Sequence, residues 1–360
     1  MKLQNAIQPS AHQIQQRAYQ LWCERRRAHG HETSDWLIAK DLLFIEQNYE
    51  CVAFYKFVDQ KKTTIAKPVD ITDQTNRYCR FCKKTKNEGL AFGRKAHALP
   101  ESLGNKAVFG WNECDQCNSI FSDYETSLCN ALALPLSLLM IRGKNGMRTY
   151  SSPSGLKIKP VDGTLKYGQH DKARAGQEPS VKIELATGKM TTQEFDAKTT
   201  YPVKNFKLLV KCALSVIPKE LLECFTETAD WITNTDHSVK PKGCEKLGAY
   251  VSHLPGPLIS LVGSASVYIR KNPVQLPGCL FLMRVRNMAF QIAIPLCNRD
   301  WFLEESRVPF IPPFPNFHSE YGPAIPEPVS MDEPGKVSVS YYAEQSFGIS
   351  KAAVTLLEKS

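Results

Sequence analysis

The sequence lacks both an apolar segment long enough to cross a membrane and a recognisable leader at its N-terminus. A transmembrane helix needs about 18 or more consecutive apolar residues, and no such run occurs in the 360 residues. The first residues also lack the basic stretch followed by an apolar one that a secretory signal shows. We therefore expect a cytoplasmic protein that makes no contact with a membrane.

The composition also excludes wholesale disorder. The chain is 42% hydrophobic and 22% charged, and it is long enough for two or three domains with a buried core. Its 12 cysteines would indicate disulfides only in a secreted protein. Four of them form two Cys-x-x-Cys pairs, and the other eight stand singly in largely apolar surroundings, which is typical of reduced core residues.

Positive charge is in moderate excess, with a formal net charge of +9. Its distribution says more than its total, because basic residues cluster around the first cysteine pair and again between positions 142 and 174. Such clusters favour a polyanion, although a solvated surface explains either cluster equally well. The candidate residues for binding nucleic acid are Arg80, Lys83, Lys84, Arg94 and Lys95.

Hydrophobic periodicity predicts an α+β protein in three parts. Residues 10–48 are expected to form a helical hairpin, residues 74–145 a small module with the cysteine pairs, and residues 150–360 a larger mixed α+β domain. The stretch between positions 52 and 73 is expected to be partly a linker. The phrase R-A-Y-Q-L-W at positions 17–22, Gly30, and D-W-L-I-A at positions 35–39 resemble a short bacterial helical domain of unknown function. Asp35 stands where that family usually has His, and the aromatic residues are read as packing.

The two cysteine pairs predict a metal site. Cys79 and Cys82 precede Cys114 and Cys117, with thirty-one residues between the pairs. Each pair can present two thiolates to one tetrahedral ion, which is the pattern of a closed structural zinc site. Zinc would stabilise a module too small to bury a core of its own.

The residues between the pairs indicate a function. The run K-A-H-A-L-P-E-S-L-G-N at positions 95–105 is followed by W-N-E-C-D-Q-C-N at positions 111–118. This order resembles the HNH endonucleases with a treble-cleft zinc support, over about fifty residues from Arg77 to Glu125. The resemblance implies a ββα-metal nuclease, in bacteria often associated with anti-phage defence.

The resemblance also implies roles for three residues. His97 would be the general base on a β-hairpin, and Asn118 would bind a catalytic divalent ion, commonly Mg²⁺. Asn112 would fix the hairpin or the histidine ring through its amide. Each has a structural alternative: a satisfied core histidine, a helix cap and a hairpin contact, respectively.

One position departs from the family pattern. HNH nucleases usually place Asp, Glu or His directly before the base histidine as a metal ligand, whereas this chain has Ala96. Another oxygen must then complete the metal site, and five residues are candidates: Glu101, Asn105, Asp115, Asp123 and Glu125.

The expected function is therefore metal-dependent hydrolysis of nucleic acid, with DNA as the expected substrate. Two rivals remain: a catalytically silent zinc module that binds nucleic acid, kept open by Ala96, and a sensor or interaction protein that uses the zinc fold as a scaffold. The domain after residue 150 carries no catalytic motif and is expected to serve recognition, sensing or homo-oligomer formation.

Overall fold

The computed structural model describes residues 5–24, 27, 29–58, 69–70, 77–110, 112–152, 155–162, 164–169, 181–184, 189–242, 244, 246–255, 262–300 and 324–346. Helices and mostly antiparallel strands are mixed in this part of the chain, which confirms the predicted α+β class. The helices are α1 (Ala11–Glu24), α2 (Glu32–Asn48), α3 (Asp115–Ala131), α4 (Ala133–Leu138), α5 (Pro202–Val216) and α6 (Thr226–Thr233). Short 3₁₀ helices lie at Lys86–Glu88, Glu101–Leu103, Lys219–Phe225 and Asn298–Asp300. Across the described residues, every helix is too short or too polar to span a bilayer.

The strands form several separate sheets. Their bounds are β1 (Tyr49–Val58), β2 (Val69–Asp70), β3 (Val108–Phe109), β4 (Arg142–Gly143), β5 (Gly146–Met147), β6 (Tyr150–Ser151), β7 (Leu156–Val161), β8 (Thr164–Gln169), β9 (Val181–Glu184), β10 (Lys189–Thr200), β11 (Gly248–His253), β12 (Val262–Arg270), β13 (Cys279–Val285), β14 (Met288–Ala293), β15 (Ile325–Ser330) and β16 (Val337–Ser346). The largest sheet has the order β1-β12-β13-β14-β11-β15, and smaller sheets have the orders β16-β10-β9 and β6-β7-β8. A helix expected at positions 349–358 lies outside the described residues.

The N-terminal helices α1 and α2 pack together as the predicted hairpin. Ser10 and Gln13 form a reciprocal cap at the start of α1: the Ser10 hydroxyl accepts the Gln13 amide at 3.3 Å, and the Gln13 side chain accepts the Ser10 amide at 2.9 Å. Gly30 turns the chain with a φ of +87°. Helix α2 begins at Glu32 after His31, so Ser34, a residue type that favours the N-cap position, lies inside its first turn.

The segment after α2 is a strand rather than a linker as far as Val58. Strand β1 pairs antiparallel with β12, which comes more than 200 residues later in the sequence. The opposite edge of this sheet is β15, which contains Pro326 and Pro328. Proline has no amide hydrogen to donate, and it is therefore tolerated at a sheet edge, where it discourages further strand pairing.

Helix α5 lies at the centre of the molecule. Every residue from Asn205 to Val216 is buried. The helix is covered by α3 and by strands β12 and β13, which pack against it. The helix ends at Ile217, whose backbone is extended before Pro218, as the residue before a proline usually is.

One hydrophobic cluster joins the cysteine-containing segment to the later part of the chain. It contains Phe81 and Phe121 from that segment, Leu209 from α5 and Phe281 from β13. The core is therefore continuous across the boundary expected between residues 145 and 150.

Candidate functional site

The four paired cysteines form one compact cluster. Cys79 and Cys82 lie in a tight turn in which the amide of Lys83 donates to the Cys79 carbonyl at 2.8 Å. Cys114 is the N-cap of α3 and Cys117 lies in its first turn. The four Sγ atoms all lie within 4.8 Å of one another.

This geometry fits a tetrahedral metal ion such as zinc. An ion about 2.3 Å from each of four sulfurs would separate neighbouring sulfurs by about 3.8 Å, and the Sγ atoms of Cys82 and Cys114 lie 3.8 Å apart. The amide of Cys114 points to Cys79 Sγ at 3.5 Å, and that of Cys117 points to Cys114 Sγ at 3.4 Å. Four protein ligands would leave no open position, which is typical of a structural site.

A short hairpin before α3 carries His97. Its two arms are joined by hydrogen bonds from the Ala98 amide to the Val108 carbonyl at 3.2 Å and from the Gly110 amide to the Ala96 carbonyl at 3.0 Å. His97 and Phe109 face each other as the antiparallel pair between these bonds. The order of hairpin and helix that the HNH resemblance implies is thus present.

Asn105 holds this hairpin together. Its buried amide donates to the carbonyls of Leu99 and Val108 at 2.7 and 2.8 Å, and its Oδ1 accepts the amides of Ala107 and Val108 at 3.1 and 2.8 Å. With both donors and the oxygen used in this way, Asn105 is not available to a metal ion.

Asn112, to which the resemblance assigned the role of fixing the hairpin or the histidine ring, makes a different contact. Its backbone carbonyl accepts the Arg80 amide at 2.9 Å and so ties the two cysteine turns together. Its Oδ1 is buried without a hydrogen-bond partner among the described residues. The hairpin is instead held by the Asn105 side chain, a role that its place after Gly104 did not reveal.

The imidazole of His97 lies between a carboxylate and an aromatic ring. Its Nε2 is 3.4 Å from Glu101 Oε2, and its ring centroid is 4.7 Å from that of Phe109. Within the described part of the chain, its buried Nδ1 has no hydrogen-bond partner. Burial lowers the pKa of His97 below its usual 6.5, and this effect outweighs the opposing effect of the Glu101 charge. The ring is therefore neutral near pH 7.

Glu125 brings a second carboxylate to His97. Its Oε1 accepts the amide of Ser102 at 3.2 Å, and its charge acts on the His97 ring. Asn118 lies seven residues earlier on the same helix, so it points in nearly the same direction about 10 Å along the axis. Asn118 is only partly buried.

The structure narrows the five candidates for the missing metal ligand. Asp115 accepts the amides of Gly93 and Arg94 at 3.2 and 3.0 Å, and Asp123 pairs with Lys204 at 2.7 Å. Asn105 is committed to the hairpin, as described above. Glu101 and Glu125 are the two acidic candidates beside His97.

The candidate phosphate-binding residues differ in exposure. The Arg80 guanidinium makes hydrogen bonds within the protein that compete with binding to a phosphate. It donates to the carbonyls of Ser215 and of Ile217 at the end of α5, at 3.1 Å for Ile217. The other four candidates are exposed: Lys83, Lys84, Arg94 and Lys95. Lys95 Nζ lies 3.7 Å from the centroid of the Phe109 ring, which brings a cation to the face of the hairpin that carries His97.

The charges of two lysines act on Glu101, and neither lysine was among the sequence candidates for binding nucleic acid. Lys106 forms an ion pair with the Glu101 carboxylate, and the charge of Lys144 acts on it as well. Both cations lower the pKa of Glu101, although its partial burial opposes them. Lys144 belongs to the second basic cluster of the sequence, but its nearness to Glu101 depends on the turn between β4 and β5 and is therefore a tertiary feature.

A buried ion pair lies behind the hairpin. Lys211 of α5 and Glu113 are 3.0 Å apart, and both side chains are almost entirely buried. Lys211 Nζ also donates to the backbone carbonyl of His97 at 2.7 Å.

The N-terminal part of the chain matches a known protein family. Residues 10–44 match a family described as a protein of unknown function (DUF2934). The match covers α1 and most of α2 and ends before the cysteine cluster, so the HNH resemblance rests on the motif and its geometry. No curated protein and no solved structure matches the chain.

Proposed function

We propose that the protein is a metal-dependent endonuclease of the HNH type that hydrolyses phosphodiester bonds in nucleic acid, with DNA as the expected substrate. The observation that carries this proposal is the placement of His97. It lies on a hairpin that leads directly into a helix, and the start of that helix is fixed by four clustered thiols. The Glu101 carboxylate lies 3.4 Å from its Nε2, and the charge of Glu125 also acts on the ring.

In this proposal His97 accepts the proton of the attacking water. A general base must be unprotonated at the working pH, and burial keeps the pKa of His97 below its usual value. The Glu101 carboxylate, 3.4 Å from Nε2, orients the ring and stabilises the cation that forms when the proton is taken up.

Oxygen atoms near His97 would hold the catalytic divalent ion. Glu101 and Glu125 supply carboxylates, a ligand type that Mg²⁺ prefers. Asn118, the ligand that the resemblance implies, lies about 10 Å from Glu125 along α3 and would have to bind the ion without it. Such an ion, when bound, stabilises negative charge on the scissile phosphate and on the departing oxygen. Zinc is proposed for the four thiolates, where it would be structural.

The basic side chains around the site fit a polyanionic substrate. Four exposed basic residues lie on the cysteine-containing segment: Lys83, Lys84, Arg94 and Lys95. The charge of Lys144 also acts on Glu101. Contacts to phosphates position nucleic acid without reading its sequence. A cytoplasmic location and a role in defence belong to the same proposal.

Cleavage of supercoiled plasmid tests the proposal. Wild type is expected to nick or linearise the plasmid with added Mg²⁺ or Mn²⁺, and His97→Ala and Glu125→Gln are expected to lose this activity. His12→Ala is the matched control, because His12 is exposed on α1. Divalent ions should be omitted rather than chelated, since a chelator would also remove zinc. Cleavage by His97→Ala at the wild-type rate would refute the role of His97.

A catalytically silent nucleic-acid-binding module is the second candidate. Two observations favour it: Ala96 offers no ligand, and His97 Nδ1 is buried. Binding of labelled DNA or RNA without cleavage by the wild-type protein, under every divalent ion tested, would establish this alternative.

A further inference from the structure

Lys211 reaches the candidate site from a distant part of the chain. It lies in α5, 114 residues after His97, and donates to the His97 carbonyl at 2.7 Å. Its ammonium group also lies 3.0 Å from Glu113 Oε2. Three separate segments therefore meet behind the hairpin: the His97 strand, the residue before the second cysteine pair, and α5.

The hairpin leaves the His97 carbonyl open to this contact. His97 and Phe109 are opposite each other, and the flanking residues Ala98 and Ala96 make the bonds between the arms. In such a pair neither residue uses its own backbone groups in the ladder. Lys211 supplies the bond to the His97 carbonyl from the other side.

Stability alone is a poor explanation for this arrangement. Burying an ammonium and a carboxylate costs more than packing apolar side chains of similar size in many proteins. Here the second carboxylate oxygen, Glu113 Oε1, is buried without a hydrogen-bond partner among the described residues. Glu113 Oε2 faces the Lys211 ammonium at 3.0 Å, and a charged donor makes a stronger hydrogen bond than a neutral one.

We infer that Lys211 is a positioning residue, which fixes the backbone of His97 and thereby aims its imidazole at the reacting water. Glu113 neutralises Lys211 and holds its ammonium in place. The inference rests on the proposed nuclease function for its catalytic readout, and it makes α5 part of the site rather than part of an accessory domain.

Four proteins test it: wild type, Lys211→Met, the double variant Lys211→Met/Glu113→Gln, and Lys207→Met. The single variant leaves Glu113 buried without its cation, and the double variant removes that defect. Lys207→Met is the matched control, because Lys207 is a buried lysine one turn earlier on α5 whose ammonium donates to the Asn234 carbonyl at 2.7 Å. Zinc content and the thermal midpoint of each protein are measured alongside kcat and KM.

The expected result separates positioning from folding. Both Lys211 variants should lose roughly 100-fold in kcat with little change in KM, since small displacements of a catalytic group cost about that much. The double variant should recover thermal stability but not kcat. Lys207→Met should keep kcat. Recovery of kcat together with stability in the double variant would overturn the inference.

A spectroscopic readout keeps the inference testable if wild type does not cleave. The ring Cε1–Hε1 signal of His97 in histidine-labelled protein, assigned with His97→Gln, should shift or broaden in the double variant and stay in place in Lys207→Met. An unchanged signal in the double variant would overturn the inference whatever the activity. A shifted signal with an inactive wild type would support positioning and reject the nuclease proposal.

Discussion

Asn105→Ala should unfold the hairpin that carries His97. The Asn105 side chain makes four hydrogen bonds to backbone groups of Leu99, Ala107 and Val108, and it is fully buried. Each such bond contributes about 1 kcal/mol net, and the partners left behind are themselves out of contact with water. We expect the free energy of unfolding to fall by about 4 kcal/mol.

Asn105→Asp separates the hydrogen-bond pattern from side-chain size. Aspartate has the same shape but places an oxygen against the Leu99 and Val108 carbonyls where the amide nitrogen donates. It should therefore destabilise the protein at least as much as alanine does.

Urea denaturation of the zinc-loaded protein in Mg²⁺-free buffer measures both effects. If Asn105 bound the catalytic ion instead, its loss would weaken the dependence of cleavage on Mg²⁺ concentration and leave the Mg²⁺-free stability nearly unchanged. A loss of less than about 1 kcal/mol for Asn105→Ala would refute the structural role.

Three further predictions concern other parts of the molecule. Cys117→Ser should lower the zinc content measured by mass spectrometry and abolish cooperative unfolding of its segment, whereas Cys51→Ser, at an exposed cysteine, should retain full zinc; equal zinc in both would contradict the site. Gly263→Ala should cost about 1–3 kcal/mol in urea denaturation, because its Cβ would lie 2.3 Å from the Phe57 ring and 2.8 Å from a carbonyl. Gly168→Ala, with nothing within 4 Å, is its control, and equal losses would contradict the packing. Burial lowers the pKa of Lys207 from 10.5 to about 8, so the unfolded chain holds this proton to higher pH than the folded one. The unfolding free energy of wild type relative to Lys207→Met should rise by up to about 3 kcal/mol between pH 8 and pH 10.5, and a flat difference would contradict the shift.

Local patterns in the sequence were sufficient to predict the cysteine cluster and the class of the fold. The thiols of each Cys-x-x-Cys pair are close along the chain, so their spacing alone indicates a shared ion. The residue periodicities likewise predicted the N-terminal helical hairpin. These features depend on neighbouring residues, which a sequence shows directly.

The features that the sequence did not show depend on contacts between distant segments. Glu125 is distinguished from the other candidate metal ligands only by the packing of α3 against the hairpin. Arg80 is distinguished from the other basic residues only by its hydrogen bond to the Ser215 carbonyl near the end of α5. Strand β1 followed a helix without a turn signal, and its partner β12 lies far along the chain. Lys211 carries no motif of its own.

The pairing of β1 with β12 has a consequence for synthesis on the ribosome. Val58 and Val262 are opposite each other in the sheet. The ribosome must therefore translate some two hundred further residues before β1 can pair with β12. At about 5–20 residues per second, this delay is roughly 10–40 s. During that interval β1 has no partner strand in the sheet, and α3 lacks its neighbour α5 until residue 216 has been made. A hydrolytic site so assembled would stay inactive until most of the polypeptide exists.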